Sequence, residues 1–250
     1  RAGSEDKSPV AIIEHPDVRR MLLRMRGLTE GARALLYYTC GQIDRGALGD
    51  TAAQARAELL VPLVKAWGTD IGVEVASLGI QVHGGMGFIE ETGAAQFLRD
   101  ARIAPIYEGT NGIQAADLVT RKLMGDGGAA LASLMADIAQ DADDATALAQ
   151  LSSDCNMLGR WMVNDATLDD RLAASVPFLT MCAVAVAGWQ LLRQSRAAGE
   201  GVAQGTLAAA KPVVARWFLD HVVPEASGFA ASVRAGANGL YTLDAEALAS

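Results

Sequence analysis

A glutamate beside a glycine is the first feature of this sequence that could do chemistry. Glu108 lies in the run Tyr107-Glu108-Gly109-Thr110-Asn111-Gly112-Ile113-Gln114. A carboxylate next to a residue without a side chain can approach a substrate closely, and it can act as a general base when water is kept away from it. A glutamate just before a predicted helix can equally be an N-terminal capping or charge group, and its position alone favours that role.

A glycine-rich segment precedes Glu108 in the chain. It reads Gln81-Val82-His83-Gly84-Gly85-Met86-Gly87-Phe88. Glycines allow the backbone to approach a phosphate or pyrophosphate closely enough to donate N–H groups to it. Glycines also end helices and form tight turns, which is the commoner reason for their presence. By itself, this segment is a weak indication of a phosphate site.

The cysteines and histidines predict no metal site. They are Cys40, Cys155, Cys182, His15, His83 and His221. The cysteines lie far apart, each within a predicted apolar helix, and we expect them to be buried and reduced. The histidines show no metal-ligand spacing with one another or with the cysteines. We expect His83 to bond to the backbone and to contact any ligand through its main chain.

The elements that position these residues are predicted to be helices. Aromatic residues make up 5% of the chain, and the alternation of β-branched residues typical of strands is almost absent. The predicted fold class is therefore all-α. An amphipathic stripe over residues 18–43 predicts a long helix that begins near Pro16 and ends near Gly46 and Gly49.

The next elements flank the two candidate segments. A second stripe over residues 60–78 predicts another helix, which Pro62 must kink or restart, followed by a loop over residues 79–87. A short helix is predicted over residues 94–101 and an irregular stretch over residues 105–109. A further helix is predicted to begin close to Thr110 and to run towards Leu123.

A glycine-rich tetrad, Gly125-Asp126-Gly127-Gly128, predicts a boundary between a domain of residues 1–126 and one of residues 127–250. Beyond it, apolar stripes predict a second helical bundle. The stripes cover residues 131–151, 158–165, 176–195 and 206–222. Loops are predicted over residues 4–9 and 197–205. The four tryptophans are expected to be core or interface residues; they are Trp67, Trp161, Trp189 and Trp217.

The charge balance excludes two classes of partner. A net charge of −8 and a pI near 4.9 leave no clustered basic surface for nucleic acid or for an anionic membrane. We expect no apolar run to approach the roughly 20 residues that cross a bilayer, and the first residues are polar rather than signal-like. The protein is therefore expected to be soluble and cytoplasmic.

Three motifs taken together carry more information than any one of them. The Gln-x-x-Gly-Gly-x-Gly segment from Gln81, the Arg-Asp-Ala segment from Arg99 and the Tyr-Glu-Gly-Thr segment from Tyr107 occur in this order. In order and separation they resemble the C-terminal α-domain of the acyl-CoA dehydrogenase family, over residues 12–123. The segment beyond Gly128 resembles the extra helical domain of the longer members, including the methylthiopropionyl-CoA dehydrogenase-like branch. The resemblance implies a four-helix-bundle-like domain followed by a second helical bundle.

The resemblance assigns roles to the matching residues. Glu108 matches the carboxylate that removes the pro-R α-proton of an acyl-CoA thioester while a hydride leaves the β-carbon for FAD, which gives a trans-2-enoyl-CoA. Gly109 matches the position beside the thioester. Thr110 and Asn111 match residues near the FAD. The loop that contacts the ADP half of FAD, in this family usually bound mainly by a neighbouring subunit, is matched by Gln81, Val82, His83, Gly84 and Gly85.

The same resemblance implies partners for the chain. They are an acyl-CoA substrate, FAD, an electron-transferring flavoprotein as acceptor, and other copies of the chain in a homo-oligomer. Arg99 and Asp100 are expected to be structural rather than catalytic. Two other interpretations stay open: a helical oligomerisation or interaction module whose catalytic residues are idle, and a DNA-associated flavoprotein of the same fold, which the acidic balance disfavours.

The family fold also has an N-terminal helical domain and a central β-barrel, and nothing in these 250 residues resembles either. We therefore expect the chain to be part of a longer polypeptide. On its own it is expected to bind FAD weakly at most and to show no dehydrogenase turnover.

Overall fold

The computed structural model of the protein describes residues 9–142, 145–200 and 205–249. Within these ranges the regular structure is helical and no β-strand occurs, which confirms the all-α fold class. The α-helices are α1 Pro16–Ala47, α2 Thr51–His83, α3 Gly85–Phe88, α4 Ala94–Ala101, α5 Asn111–Asp117, α6 Leu123–Gly125, α7 Ala129–Ala142, α8 Thr146–Asn164, α9 Leu168–Gly199, α10 Thr206–Ser227, α11 Ala230–Ala235 and α12 Ala245–Ala249. A π-helical turn, Leu118–Lys122, joins α5 to α6, and short 3-10 turns cover Ile12–Glu14 and Glu90–Thr92.

The pair α1 and α2 forms the frame on which the candidate residues lie. Helix α1 begins at Pro16, as predicted, because proline already has a helical φ and needs no N–H partner in the first turn. After a short turn, the side chain of Asp50 caps α2 by accepting a hydrogen bond of 3.0 Å from the amide of Ala53. The two helices pack along one another, so residues far apart on α2 share one rigid support.

Two expectations about α2 were wrong. The helix neither begins nor restarts at Pro62, which is buried inside it, and it continues through Gly79 to His83. The predicted loop over residues 79–87 is helical except at Gly84, since α3 begins at Gly85. A proline costs an isolated helix about 3 kcal/mol, but packing of α2 against six other helices outweighs that local preference.

Two expectations about the later helices were also wrong. The stripe predicted over residues 131–151 is divided between α7 and α8. Helix α8, Thr146–Asn164, then continues without a break into the next predicted stripe, over residues 158–165. Helix α9 begins at Leu168, well before the predicted residue 176, and contains Pro177. A capping box between Thr167 and Asp170 fixes that start, with hydrogen bonds of 3.0 and 3.2 Å between side chain and backbone in both directions.

Helix α9 lies at the centre of the fold and packs against α1, α2, α8 and α10. Its most apolar window has a mean hydropathy of 1.8, so by length and composition α9 could span a membrane, contrary to our expectation of no such run. In the folded chain 72% of that window is buried by protein. The apolar surface of α9 is therefore covered by neighbouring helices.

A single core joins both halves of the chain, with buried side chains from Leu28 on α1 to Val233 on α11. The predicted domain boundary lies at the turn between α6 and α7, where Gly127 and Gly128 both have positive φ. The division into residues 1–126 and 127–250 stays a prediction.

The burial of the tryptophans and cysteines agrees only in part with the predictions. Trp67 and Trp189 are buried, as expected of core residues, and so are Cys155 and Cys182. Cys40 was expected to be buried but is exposed, because it lies on the outer face of α1. Residues 4–8 and 201–204 of the predicted loops lie outside the described residues.

A buried carboxylate links α1 to α9 and α10. Glu30 is only 7% exposed and accepts hydrogen bonds of 2.8 Å from Arg26 and 2.8 Å from Lys211. Lys211 also donates to the side chain of Gln194 at 2.9 Å. This network connects the first and second halves of the chain through charged hydrogen bonds, which are stronger than neutral ones.

The network predicts a pH dependence of stability. Burial alone would raise the pKa of Glu30, but the hydrogen bonds and charges of Arg26 and Lys211 outweigh burial and hold the pKa below its ordinary value. A carboxylate with a lowered pKa stabilises the fold above its unfolded pKa of about 4.3, and this contribution is lost as the pH falls through the folded pKa. We expect the free energy of unfolding to fall less steeply below about pH 4.3 in Glu30→Gln than in the wild type.

Urea denaturation at several pH values measures this difference. Asp220→Asn is the matched control, because Asp220 forms an exposed ion pair with Arg216 within one helix. It should keep the wild-type slope. Identical acid slopes for Glu30→Gln and the wild type would contradict the prediction.

Candidate functional site

The backbone at Glu108 has an unusual conformation. Its φ is 54°, and Glu108 is the one non-glycine residue in the described part of the chain with a positive φ. The next residue, Gly109, has φ 84°. A left-handed conformation costs an ordinary residue about 1–2 kcal/mol, and such strain is concentrated at functional sites. Gly109 adopts the same region without that cost.

The segment that carries Glu108 is fastened to α2. The ammonium of Lys65 donates to the carbonyl of Tyr107 at 3.0 Å and to the carbonyl of Gly109 at 2.9 Å. It also lies 5.7 Å from the centre of the Tyr107 ring. The amide of Asn111 donates to the carbonyl of Pro105 at 3.1 Å and closes the turn.

The Glu108 side chain itself is exposed, and its carboxylate makes no hydrogen bond or ion pair with another described residue. Helix α5 begins at Asn111, close to the prediction, with Thr110 as its N-cap and with no side-chain hydrogen bond at the cap. Glu108 therefore does not cap α5, and its carboxylate is presented outward.

The side chain of Asn111 forms hydrogen bonds with residues of α2. Its side-chain amide donates to the carbonyl of Ala66 at 2.9 Å and to the carboxylate of Asp70 at 2.8 Å. It also shares a hydrogen bond with the hydroxyl of Thr69. These contacts hold the first turn of α5 against α2, so the side chain of Asn111 orients the candidate site.

An open cleft of about 720 Å³ lies beside this turn, between α2, residues 102–106 and the start of α5. Thr110 and Asn111 line it together with Asp70 and Arg102. Burial raises the pKa of Asp70 above its ordinary value, while the hydrogen bond from Asn111 and the charge of Arg102 act in the opposite direction. The cleft is lined mainly by apolar atoms, with the charged side chains of Asp70, Glu74 and Arg102 among them.

Sequence reasoning missed Lys65 and Asp70. Neither lies in a motif, and both reach the site only because α2 packs against a segment about 40 residues later in the chain. A lysine in an amphipathic helix is ordinarily a solvated residue. No local signal distinguishes Lys65.

The glycines of the Gln81–Phe88 segment serve different purposes. Gly84 has φ 61°, which favours glycine, and a Cβ added there would meet no atom within 4 Å. A Cβ on Gly87 would lie 2.3 Å from the carbonyl oxygen of Ile80, so α3 could not pack against α2. Gly85 has neither a positive φ nor a close neighbour. The fold therefore explains glycine at Gly84 and Gly87 but not at Gly85.

The other members of this segment lie on the last turn of α2. Gln81 is exposed, Val82 is half-buried, and the carbonyl of Gln81 accepts a hydrogen bond of 3.1 Å from the amide of Gly84. The ring Nδ1 of His83 lies 2.7 Å from the carbonyl oxygen of Gly79. His83 thus bonds to the backbone, as expected.

Arg99 and Asp100 do not pair with each other. Arg99 forms an exposed ion pair of 3.4 Å with Glu90, and Asp100 lies near the side-chain amide of Gln96. Both residues lie on one short helix, where adjacent positions point in different directions. Exposed pairs of this kind add little to stability.

The two candidate segments lie far apart in one chain. Lys65 contacts the Glu108 turn, and His83 ends the same helix 18 residues later. At 1.5 Å per residue this corresponds to roughly 27 Å. A single chain therefore does not bring the Glu108 carboxylate and the Gly84–Gly85 backbone to one point.

The sequence matches two family profiles in succession. Residues 2–123 match the profile described as acyl-CoA dehydrogenase, C-terminal domain. Residues 119–244 match the profile described as acetyl-CoA dehydrogenase C-terminal like.

Named relatives and a solved structure agree with these profiles. The chain is 45% identical to a 3-methylmercaptopropionyl-CoA dehydrogenase of Ruegeria pomeroyi, over 87% of the chain and 40% of that protein. It is 31% identical to a broad-specificity linear acyl-CoA dehydrogenase of Mycobacterium tuberculosis, over 88% of the chain and 39% of that protein. The chain thus spans about two fifths of the length of these relatives.

The fold is similar to that of an acyl-CoA dehydrogenase from Bacillus anthracis solved in complex with FAD. The TM-score is 0.72 at 20% identity, over 95% of this chain and 45% of the other. At this identity the likeness concerns the fold alone. The two successive profiles, the second of which covers half of the sequence, place the chain in the acyl-CoA dehydrogenase family.

Proposed function

We propose that this chain is the C-terminal portion of an FAD-dependent acyl-CoA dehydrogenase in which Glu108 is the catalytic base. The observation that carries the proposal is the Glu108 turn. Its carboxylate is presented from a strained, left-handed backbone that Lys65 fastens to α2, and it makes no hydrogen bond or ion pair with another described residue. Backbone strain of this kind is concentrated at active sites, ligand clamps and switch regions.

In the proposed reaction, the Glu108 carboxylate takes the pro-R α-proton of an acyl-CoA thioester. The electron pair of that C–H bond forms the α,β double bond as a hydride leaves the β-carbon, so the product is a trans-2-enoyl-CoA. Bound FAD supplies the two-electron acceptor for this hydride. Gly109, without a side chain, leaves room for the thioester beside the base.

The end of α2 fits one side of an FAD site. Gly84 and Gly85 are exposed, and no atom lies within 4 Å of a Cβ added to either. Their backbone can therefore be approached by a pyrophosphate; the Gly84 N–H bonds to the Gln81 carbonyl, so the Gly85 N–H is the proposed donor. We propose that Gln81, Val82 and His83 complete this contact surface, and that Thr110 lies close to the flavin.

A pair of glycine substitutions tests the FAD contact. Gly87→Ala should lower the free energy of unfolding by about 1–3 kcal/mol, because the added Cβ overlaps the Ile80 carbonyl. Gly85→Ala meets no neighbour and should leave stability unchanged, yet weaken FAD binding about tenfold, or about 1.4 kcal/mol. Urea denaturation and flavin titration of the complete protein measure the two effects. Wild-type FAD affinity in Gly85→Ala would contradict the assignment.

The separation of the two segments supports an oligomer. Since Lys65, which contacts the Glu108 turn, and His83, which precedes Gly84, lie roughly 27 Å apart along α2, we propose that Glu108 acts in one active site while the glycine segment contacts the FAD of a neighbouring copy. An electron-transferring flavoprotein is the proposed acceptor. Sedimentation with and without FAD measures the assembly.

The proposed activity is tested on the complete product of the gene. The purified protein is mixed without oxygen with a panel of acyl-CoAs that includes 3-methylmercaptopropionyl-CoA and linear acyl-CoAs. At least one should bleach the oxidised flavin. A protein that holds flavin but is bleached by none would instead favour the idle helical module.

A further inference from the structure

Lys65 is the described residue that contacts the backbone on both sides of Glu108. Its ammonium lies 3.0 Å from the carbonyl oxygen of Tyr107 and 2.9 Å from that of Gly109. A lysine ammonium has three hydrogens to donate, so it can serve both carbonyls at once. The Lys65 side chain is half-buried between α2 and the turn.

The Tyr107 carbonyl belongs to the peptide group just before the Glu108 α-carbon, and the Gly109 carbonyl to the peptide group just after the Gly109 α-carbon, so Lys65 holds both ends of the Glu108–Gly109 pair. Two consecutive residues are left-handed, with φ 54° at Glu108 and φ 84° at Gly109. Without a stabilising contact, a glutamate would not keep this conformation. A positive charge that binds both carbonyl oxygens favours this conformation over the right-handed alternative. The direction of the Glu108 side chain follows from it.

The other contacts of the turn do not replace Lys65. Asn111 holds the start of α5 to Ala66 and Asp70. The start of α5 lies beyond Glu108 in the chain. The backbone N–H of Asn111 donates to the carbonyl of Pro105. This hydrogen bond closes the turn but does not fix the peptide groups next to Glu108. Lys65 alone among these residues contacts the carbonyls on each side of the base.

We infer that Lys65 is a positioning residue that aims the Glu108 carboxylate at the substrate α-carbon. This inference rests on the proposed function of Glu108. The ammonium acts through the backbone and takes no part in the transfer of the proton. Misplacement of a reacting group by about 1 Å can slow a reaction about 100-fold.

The test compares three variants of the complete flavoprotein: Lys65→Met, Lys65→Arg and Lys122→Met. Lys122 is the matched control, since its ammonium pairs with Glu58 at 3.3 Å and lies outside the turn. Stopped-flow measurement gives the rate of flavin reduction at saturating acyl-CoA, and flavin absorbance gives the acyl-CoA dissociation constant.

Lys65→Met should lower the limiting rate of flavin reduction about 100-fold, while flavin content and the acyl-CoA dissociation constant stay close to those of the wild type. Lys65→Arg keeps the charge and two or more donors and should recover most of the rate. Lys122→Met should react like the wild type. The inference is overturned if Lys65→Met reduces its flavin at the wild-type rate, or if rate, flavin content and melting temperature fall together.

A second readout does not depend on activity. Amide hydrogen exchange over residues 105–111 should become faster in Lys65→Met and stay unchanged in Lys122→Met. If no acyl-CoA bleaches the wild type, the proposed function is wrong, and exchange alone decides whether Lys65 holds the turn. Unchanged exchange in Lys65→Met would overturn the inference.

Discussion

Glu108→Gln in the complete flavoprotein should abolish bleaching of the flavin by acyl-CoA while leaving the flavin bound. Glutamine has nearly the same shape and can keep the left-handed turn, but its amide cannot accept a proton. General-base catalysis contributes about 10²- to 10⁴-fold, so the rate of flavin reduction should fall by at least that factor. Anaerobic stopped-flow absorbance measures the rate, and the flavin-to-protein ratio reports cofactor binding.

Glu246→Gln, in the last helix, is the matched control because Glu246 is an exposed carboxylate outside the candidate site. It should react at the wild-type rate. Retention of wild-type reduction by Glu108→Gln would show that another group is the base. Loss of flavin from Glu108→Gln would instead indicate that the carboxylate supports cofactor binding.

The largest expected effect on stability comes from Phe218. This side chain on α10 is completely buried and packs against α1 at two glycines, Gly27 and Gly31. A Cβ on Gly31 would lie 3.1 Å from the Phe218 ring, so the absence of side chains on α1 creates the space that the ring fills. Phe218→Ala should therefore leave a cavity and lower the free energy of unfolding by about 3–5 kcal/mol.

Urea denaturation of the chain measures this loss. Phe229→Ala is the same substitution at a side chain that is 41% exposed, and it should cost about 1 kcal/mol or less. A similar cost for both variants would contradict the packing of Phe218. Because Phe218 lies between the first and second halves of the chain, its loss should lower the stability of both halves together.

Local signals in the sequence correctly predicted where two helices, α1 and α5, begin. Proline at Pro16 and the polar residues before Asn111 are typical of helix N-termini, and the structure has helices there. The motif around Glu108 predicted a turn at the correct place. What it did not predict is the left-handed conformation of Glu108, since glutamate rarely adopts it.

The errors have a common physical cause. Pro62 and Pro177 lie inside long helices, where tertiary packing outweighs a local preference against proline. Lys65 belongs to the candidate site through contacts with residues 42 and 44 positions later, which no pattern within α2 could indicate. Cys40 was assigned to the core by residue type, although the face of α1 on which it lies is uncovered.

The buried helix α9 also has a consequence for the order in which the chain is synthesised. Of the helices that cover it, α1, α2 and α8 precede it in the chain, but α10 and α11 follow it. Leu219 and Val223 of α10 close over Gly188 of α9. Until the ribosome has released α10, that face of α9 is open to water and to other nascent chains. Exposed apolar surface of this kind is what chaperones bind, so the newborn protein is prone to aggregate until α10 and then α11 are complete.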